Sequence, residues 1–197
     1  DEKIVQYQNT GRGNKVTDHK NLKMFKEKVS ARDEELIREI LKRCRVAVVG
    51  IHDEPYPYCV PMNYGFEWED QLIFYFHMAT DGHRIRLLKR DNRVSMAIYE
   101  FLDRHGYKRV HNEPHDYRSV MAYGRAEIIC PEQEEEYLHG MNVLLAGQRW
   151  PLITRITPDM KNRMLILKIT ADIVTGKAQY PVSSLDEVPI PPNIPLD

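Results

Sequence analysis

Apolar residues recur every three or four positions at Leu36, Ile37, Ile40 and Leu41, with Cys44 extending the stripe. That period predicts an amphipathic helix, with Ser30 or Asp33 able to cap it. From Arg45 the pattern becomes a β-branched run, Val46 to Ile51, closed by a turn at His52 to Pro55. A hairpin leads into a strand over Tyr58 to Trp68; its Pro61 has no N–H to give a ladder, so that point belongs at an edge or bulge. After a turn at Asp70, Leu72 to His77 is a third strand, and residues 82–90 form a helix with Ile85, Leu87 and Leu88 inward. Val94 to Tyr99 is a fourth strand. Residues 101–115 form a polar excursion of a length that often carries function. Tyr117 to Cys130 is a long strand bent at Gly124. Pro131 then opens an acidic helix, with Glu132, Glu134, Glu135 and Glu136 in its early turns and Leu138, Met141, Leu144 and Leu145 on its apolar side. A helical turn at Pro158 to Met160 and a sixth strand, Met164 to Ile169, complete the pattern. Residues 1–30 have no period and read as an arm, 31–178 as the folded domain, and 179–197 as an extended Pro-rich tail. Six strands with few helices predict a mainly β fold, an antiparallel β-barrel with peripheral helices; a doubly wound sheet would need regular βα alternation.

Charge narrows the partners. With 28 basic and 29 acidic side chains the net charge is −1, which argues against a nucleic acid held by a broad electrostatic footprint. No window approaches the roughly 20 apolar residues of a membrane span, and Asp1 to Ile4 has no signal-peptide layout, so a soluble, cytoplasmic protein is expected. Cys44, Cys59 and Cys130 are far apart and odd in number, the pattern of small buried hydrophobes in a reducing compartment. The eight His are scattered without zinc spacing, so no metal is expected.

The chemistry concentrates at Phe74-Tyr75-Phe76-His77-Met78-Ala79-Thr80-Asp81-Gly82-His83-Arg84, a strand running through a Gly turn into a basic helix. A helix start has unpaired N–H groups and partial positive charge, so an anion there gains hydrogen bonds and field together. His83 and Arg84 add side-chain donors. An ordinary strand-loop-helix joint with solvated basic residues is the alternative. On the strand, alternation puts Tyr75 and His77 on the face opposite Phe74 and Phe76, and Arg118 on the face opposite Ser119. His77 reads either as a hydrogen-bonded structural residue or as the candidate catalytic group, and Arg118 either as a surface salt bridge or as a site residue.

Taken in order, the helix, VAVVGI, PYCVPMNYGF, LIFYFHMATDGHRIRLLKRDNRV, YRSVMAYGRAEII and LKITADIVTGK resemble the pyridoxamine-phosphate-oxidase-like flavin-binding split barrels, specifically the nitroimidazole-resistance branch. The resemblance covers roughly residues 31 to 178. It implies a six-stranded antiparallel split barrel and a homodimer with two flavin sites at the subunit interface. By position, Val60, Pro61, Met62, Asn63 and Tyr64 would lie along the isoalloxazine and His77 and Ala79 would line the site. Gly82, His83 and Arg84 would hold the phosphate, with Arg118 and Ser119 of the Tyr-Arg-Ser-Val strand completing the set. Where the oxidase proper has Arg-Lys, this chain has His83-Arg84, which keeps one permanent cation and makes the other depend on pH. The oxidase's C-terminal Arg-Leu-x-Pro segment is replaced by Val-Pro-Ile-Pro-Pro-Asn-Ile-Pro-Leu-Asp, which sets this chain apart from oxidation of pyridoxamine phosphate. The resemblance implies an FMN-dependent oxidoreductase, with reduced pyridine nucleotide as hydride source and a flat nitro-heteroaromatic as small-molecule acceptor. FAD in place of FMN, a non-catalytic flavin carrier and a haem-binding barrel stay open as alternatives.

Overall fold

The computed structural model describes residues 7–8, 30–31, 34–102 and 116–178. Most of the arm, the Asp33 cap, most of the 101–115 excursion and the Pro-rich tail lie outside the described residues. In chain order the elements are β1 (Tyr7–Gln8), β2 (Ser30–Ala31), α1 (Glu34–Arg43), β3 (Val46–Ile51), β4 (Tyr58–Asn63), β5 (Gly65–Trp68), β6 (Leu72–Ala79), α2 (His83–Arg90), β7 (Arg93–Leu102), β8 (Asp116–Ile129), α3 (Glu134–Gln148), α4 (Pro158–Arg163) and β9 (Met164–Ala178).

α1 opens on Glu34 and Glu35 and closes on Lys42 and Arg43, so both ends complement the helix dipole. Leu36, Ile37, Ile40 and Leu41 are buried, as their spacing predicts. Ser30 is part of β2, where it pairs with Lys177. The main sheet runs β4-β3-β7-β8-β9-β6-β5, every neighbouring pair antiparallel. The strand expected over Tyr58 to Trp68 is interrupted at Tyr64, and its halves, β4 and β5, stand at opposite ends of that order. The chain therefore crosses from one sheet edge to the other in a single residue. The result is a curled half-barrel whose seam is covalent rather than laddered, with seven strands where the pattern predicts six. Pro61 sits on edge strand β4, where a missing N–H is tolerated.

The bend expected at Gly124 is present as a register shift between Tyr123 and Gly124. Two boundaries differ from expectation. β9 continues past Ile169 to Ala178, because its first half pairs with β6 and its second half with β1 and β2 along the same edge. α3 begins at Glu134 rather than Pro131: Gln133 N–H donates to Cys130 O (3.0 Å) and Cys130 N–H to Gln133 Oε1 (3.1 Å), closing a turn around Pro131.

Burial explains why β6 reads as a continuous apolar run. Phe74, Phe76 and Met78 face the barrel core, while Tyr75 joins a second cluster with Tyr137, Met141, Leu144 and Ile166 beneath α3. The three cysteines are free. Cys44 and Cys130 are half-buried, and burial, followed by the nearby Glu100, pushes the Cys44 thiol up to about 12. Cys59 is exposed, against the expectation for it, because Tyr58, Val60 and Met62 take the core-facing positions of β4. Among the described residues no helix is long and apolar enough to cross a membrane.

Candidate functional site

β6 carries His77 and Ala79 to the barrel rim, and Thr80, Asp81 and Gly82 turn the chain into α2. Gly82 makes the turn at φ 136°, a conformation that side chains disfavour, and a Cβ there would meet open space. Asp81 Oδ1 accepts from the Gly82 N–H (2.6 Å), but no side chain caps α2, so the N–H groups of its first turn lack intrahelical partners. Arg84, the second helical residue, reaches β4: its Nη1 lies 3.0 Å from Met62 Sδ. Its Nε is buried with no hydrogen-bond partner. A buried guanidinium N–H without a partner is costly and calls for an acceptor. His77, at the strand end, keeps part of its surface open, but the protein packed around its ring lowers its pKa, chiefly by desolvation and secondarily through the Arg84 charge.

His83 is fixed from the other side. Its Nε2 is 2.7 Å from Asp53 Oδ2, Arg90 Nη2 lies 3.5 Å from Asp53 Oδ1, and the Tyr58 ring meets the imidazole edge-on with centroids 5.5 Å apart. Asp53 and Tyr58 belong to the β3–β4 hairpin and escape a motif-based reading, since a lone Asp in a turn ordinarily reads as turn chemistry. Met62, His77, Ala79, Gly82, His83 and Arg84 thus gather at one rim.

Other candidates have different surroundings. Tyr64 is in the core, 2 % exposed, its hydroxyl donating to Leu41 O (2.8 Å). Its side chain is therefore unavailable to a ligand. Asn63 Nδ2 donates to Gln148 Oε1 (2.8 Å), which ties it to α3. Val60 packs against the core, so its side chain is turned inward. Arg118 is not a surface residue: at 2 % exposure it stands in a buried cluster with Glu100 (3.6 Å), which also accepts from Arg43 Nε (3.1 Å). Glu100 lies past Ala97, the partner of Val48 in β3, whereas Asp53 follows the other end of that strand. That register sets Glu100 level with Arg45, eight strand positions from Asp53, so the two regions are about 26 Å apart at 3.3 Å per strand residue. Ser119 takes the outward face with its neighbours Tyr99 and Lys177. Pro61 shares that face, which Val46 (45 % exposed) and Tyr99 (67 % exposed) leave open.

Two concave spaces lie elsewhere. A groove of about 630 Å³ runs between α3 and the β5–β6–β9 face, lined by Glu67, Tyr75, Glu136, His139 and Lys168 among others. A second, of about 500 Å³, lies at the C-terminal end of α2. The rim at Gly82 is an open shelf, with nothing within 4 Å of the place a Cβ on that residue would take. Its donor set suits a phosphate group: a helix start, an unpartnered buried guanidinium N–H and an adjacent imidazole.

The family model for pyridoxamine 5'-phosphate oxidase matches residues 33–178. No curated protein matches the chain. Among solved structures, a candidate 5-nitroimidazole antibiotic resistance protein of Bacteroides thetaiotaomicron is 27 % identical, with a TM-score of 0.63 over 76 % of this chain and 86 % of that one. The flavocytochrome Anf3 of Azotobacter vinelandii is 19 % identical (TM-score 0.59, 78 % and 70 % covered). The FAD and heme binding protein of Mycobacterium smegmatis is 16 % identical (TM-score 0.54, 76 % and 72 % covered).

Proposed function

This chain belongs to the pyridoxamine 5'-phosphate oxidase family, and on that premise we propose that it is an FMN-dependent oxidoreductase acting on small nitro-heteroaromatic compounds. The observation that carries the flavin is the uncapped start of α2, with Gly82 open at φ 136° and Arg84 Nε buried without a partner. Arg84 and the first-turn N–H groups hold the phosphate, and the free edge of β4 around Pro61 and Met62 lies along the ring system. Bound there, the flavin supplies hydride and electron transfer, with reduced pyridine nucleotide as donor. His77, kept neutral near pH 7 by burial and by Arg84, is the residue placed to hold or pass a proton at its ring nitrogens.

The outward face of β4-β3-β7-β8 supports a homodimer. Its small residues, Gly50, Ser95 and Ala97 among them, leave room for close approach, and exposed Val46 and Tyr99 give it apolar area to bury. A second copy covering this face would turn the shelf at Gly82 into an enclosed site and bring Ser119 to its border. Nitro-heteroaromatic substrates rest on the likeness to the Bacteroides protein. The free cysteines suit the cytoplasm.

Mass and absorbance of the cofactor released from purified protein test the reading. FMN at near one per chain in the parent and its loss in a His83→Ala, Arg84→Ala double variant is the expected result. Haem alone, or no flavin after reconstitution, would sink it. A reconstituted protein that consumes reduced pyridine nucleotide only when a nitroimidazole is present separates enzyme from carrier.

A further inference from the structure

We propose that Asp53 is a positioning residue for the phosphate site: it fastens the β3–β4 hairpin along α2 and so holds the head of that helix in place. The inference rests on the flavin reading of the turn at Gly82 and adds the residue that fixes its geometry. α2 is eight residues long, has no side-chain cap and carries no acidic residue in its first turn. A helix that short is marginal by itself, and an uncapped end is where it frays. Ile85, Leu87 and Leu88 anchor one side of it to the core, but that stripe begins only at Ile85, after the residues that face the phosphate.

The hairpin supplies what the helix lacks. Asp53 Oδ2 is 2.7 Å from Nε2 of His83, the first residue of α2, and Asp53 Oδ1 is 3.5 Å from Nη2 of Arg90, the last. About two turns separate these residues, which puts both on one face, so a single carboxylate between them restrains the helix in rotation and along its axis. Arg90 Nη2 also donates to His52 O (3.0 Å), and the Tyr58 ring meets His83 edge-on. Asp53 is only 17 % exposed at its side chain, and a negative charge beside the first residue of a helix complements its dipole. Farther along β4, Met62 Sδ receives Arg84 Nη1 (3.0 Å). The strand edge that takes the ring and the helix that takes the phosphate are therefore tied together at Asp53, Tyr58 and Met62, and a ligand spanning both finds them already ordered. Asp53 can only repel a phosphate through space, so its strut and its charge predict opposite signs for its removal.

FMN and riboflavin, titrated by flavin fluorescence into the full chain freed of cofactor at one pH and ionic strength, separate the two. The ratio of their affinities isolates the share of the phosphate. In the parent, FMN should bind the tighter by about tenfold or more. Asp53→Ala should weaken FMN about tenfold and leave riboflavin within about twofold, because only the head of α2 is released. Asp53→Asn, which keeps an acceptor for His83 without the charge, should restore FMN to within about threefold of the parent. If Asp53→Ala fails to fold, Tyr58→Leu, which takes the ring from His83 without altering charge, should weaken FMN about threefold with riboflavin unchanged. FMN held by Asp53→Ala as tightly as by the parent, or tighter, would make Asp53 a neighbouring charge. Equal losses of FMN and riboflavin would make it a general support of the fold. Either result, Asp53→Asn as weak as Asp53→Ala, or Tyr58→Leu binding both ligands like the parent, would overturn the positioning role alone. A parent that binds FMN no tighter than riboflavin, or binds neither, would overturn the phosphate reading of the turn with it.

Discussion

Two ends of the barrel use similar residue types to opposite purposes. Where α3 meets the break between β4 and β5, Gly65 and Gly147 let backbones touch: a Cβ on Gly65 would overlap the Val143 carbonyl, and one on Gly147 would lie 2.7 Å from Gly65 Cα. Gln148, 2 % exposed, closes the gap by donating to Tyr64 O (2.7 Å) and Arg45 O (3.0 Å) and accepting from Asn63. At the head of α2, Gly82 has nothing within 4 Å of its would-be Cβ, and Arg84 buries an Nε without a partner. A satisfied polar group next to glycines marks a structural joint, whereas the unsatisfied one beside an open glycine lies where the proposed phosphate would sit.

That contrast breaks most severely at Gly65. Gly65→Ala must push α3 off the sheet, and urea unfolding should show a loss of about 3 kcal/mol or more. Gln148→Ala orphans buried carbonyls and should cost about 2–3 kcal/mol by the same measurement. Arg84→Met should do the reverse. It removes an unpartnered buried donor, leaving cofactor-free stability within about 0.5 kcal/mol. FMN affinity should nevertheless fall some 10- to 100-fold with loss of a charge-assisted hydrogen bond. An Arg84→Met protein that melts far below the parent yet keeps FMN affinity would make this rim a joint like the other.

The smallest effect belongs to His77. Its folded pKa lies below its ordinary value, first through burial and then through Arg84. Below about pH 6.5 the unfolded chain binds a proton that the native chain resists, so the native state loses stability as pH falls through that range. His77→Gln should therefore flatten the fall in melting temperature between about pH 7.5 and 5.5. An unchanged slope would show that the ring titrates as freely in the native chain as in the unfolded one.

Much of this was legible in the chain. The period at Leu36 to Leu41, the alternation that buries Phe74 and Phe76 against Tyr75, the edge at Pro61 and the bend at Gly124 are local, because φ/ψ limits and side-chain direction act within a few residues. The Gly82-His83-Arg84 turn was legible for the same reason: a helix start carries its anion-binding donors in its own backbone. Partnership was not legible. Nothing near Asp53 in sequence announces that it holds His83, and Gln148 comes 84 residues after the carbonyl of Tyr64 it satisfies. Arg118 reads equally as a surface salt bridge or a site residue until the curl of β7 and β8 buries it beside Glu100 and Arg43. Sequence by itself determined most of the elements, the faces of their strands and the glycine turn that opens α2. Only the tertiary structure decided which polar groups are satisfied, since that depends on contacts between residues far apart in the chain.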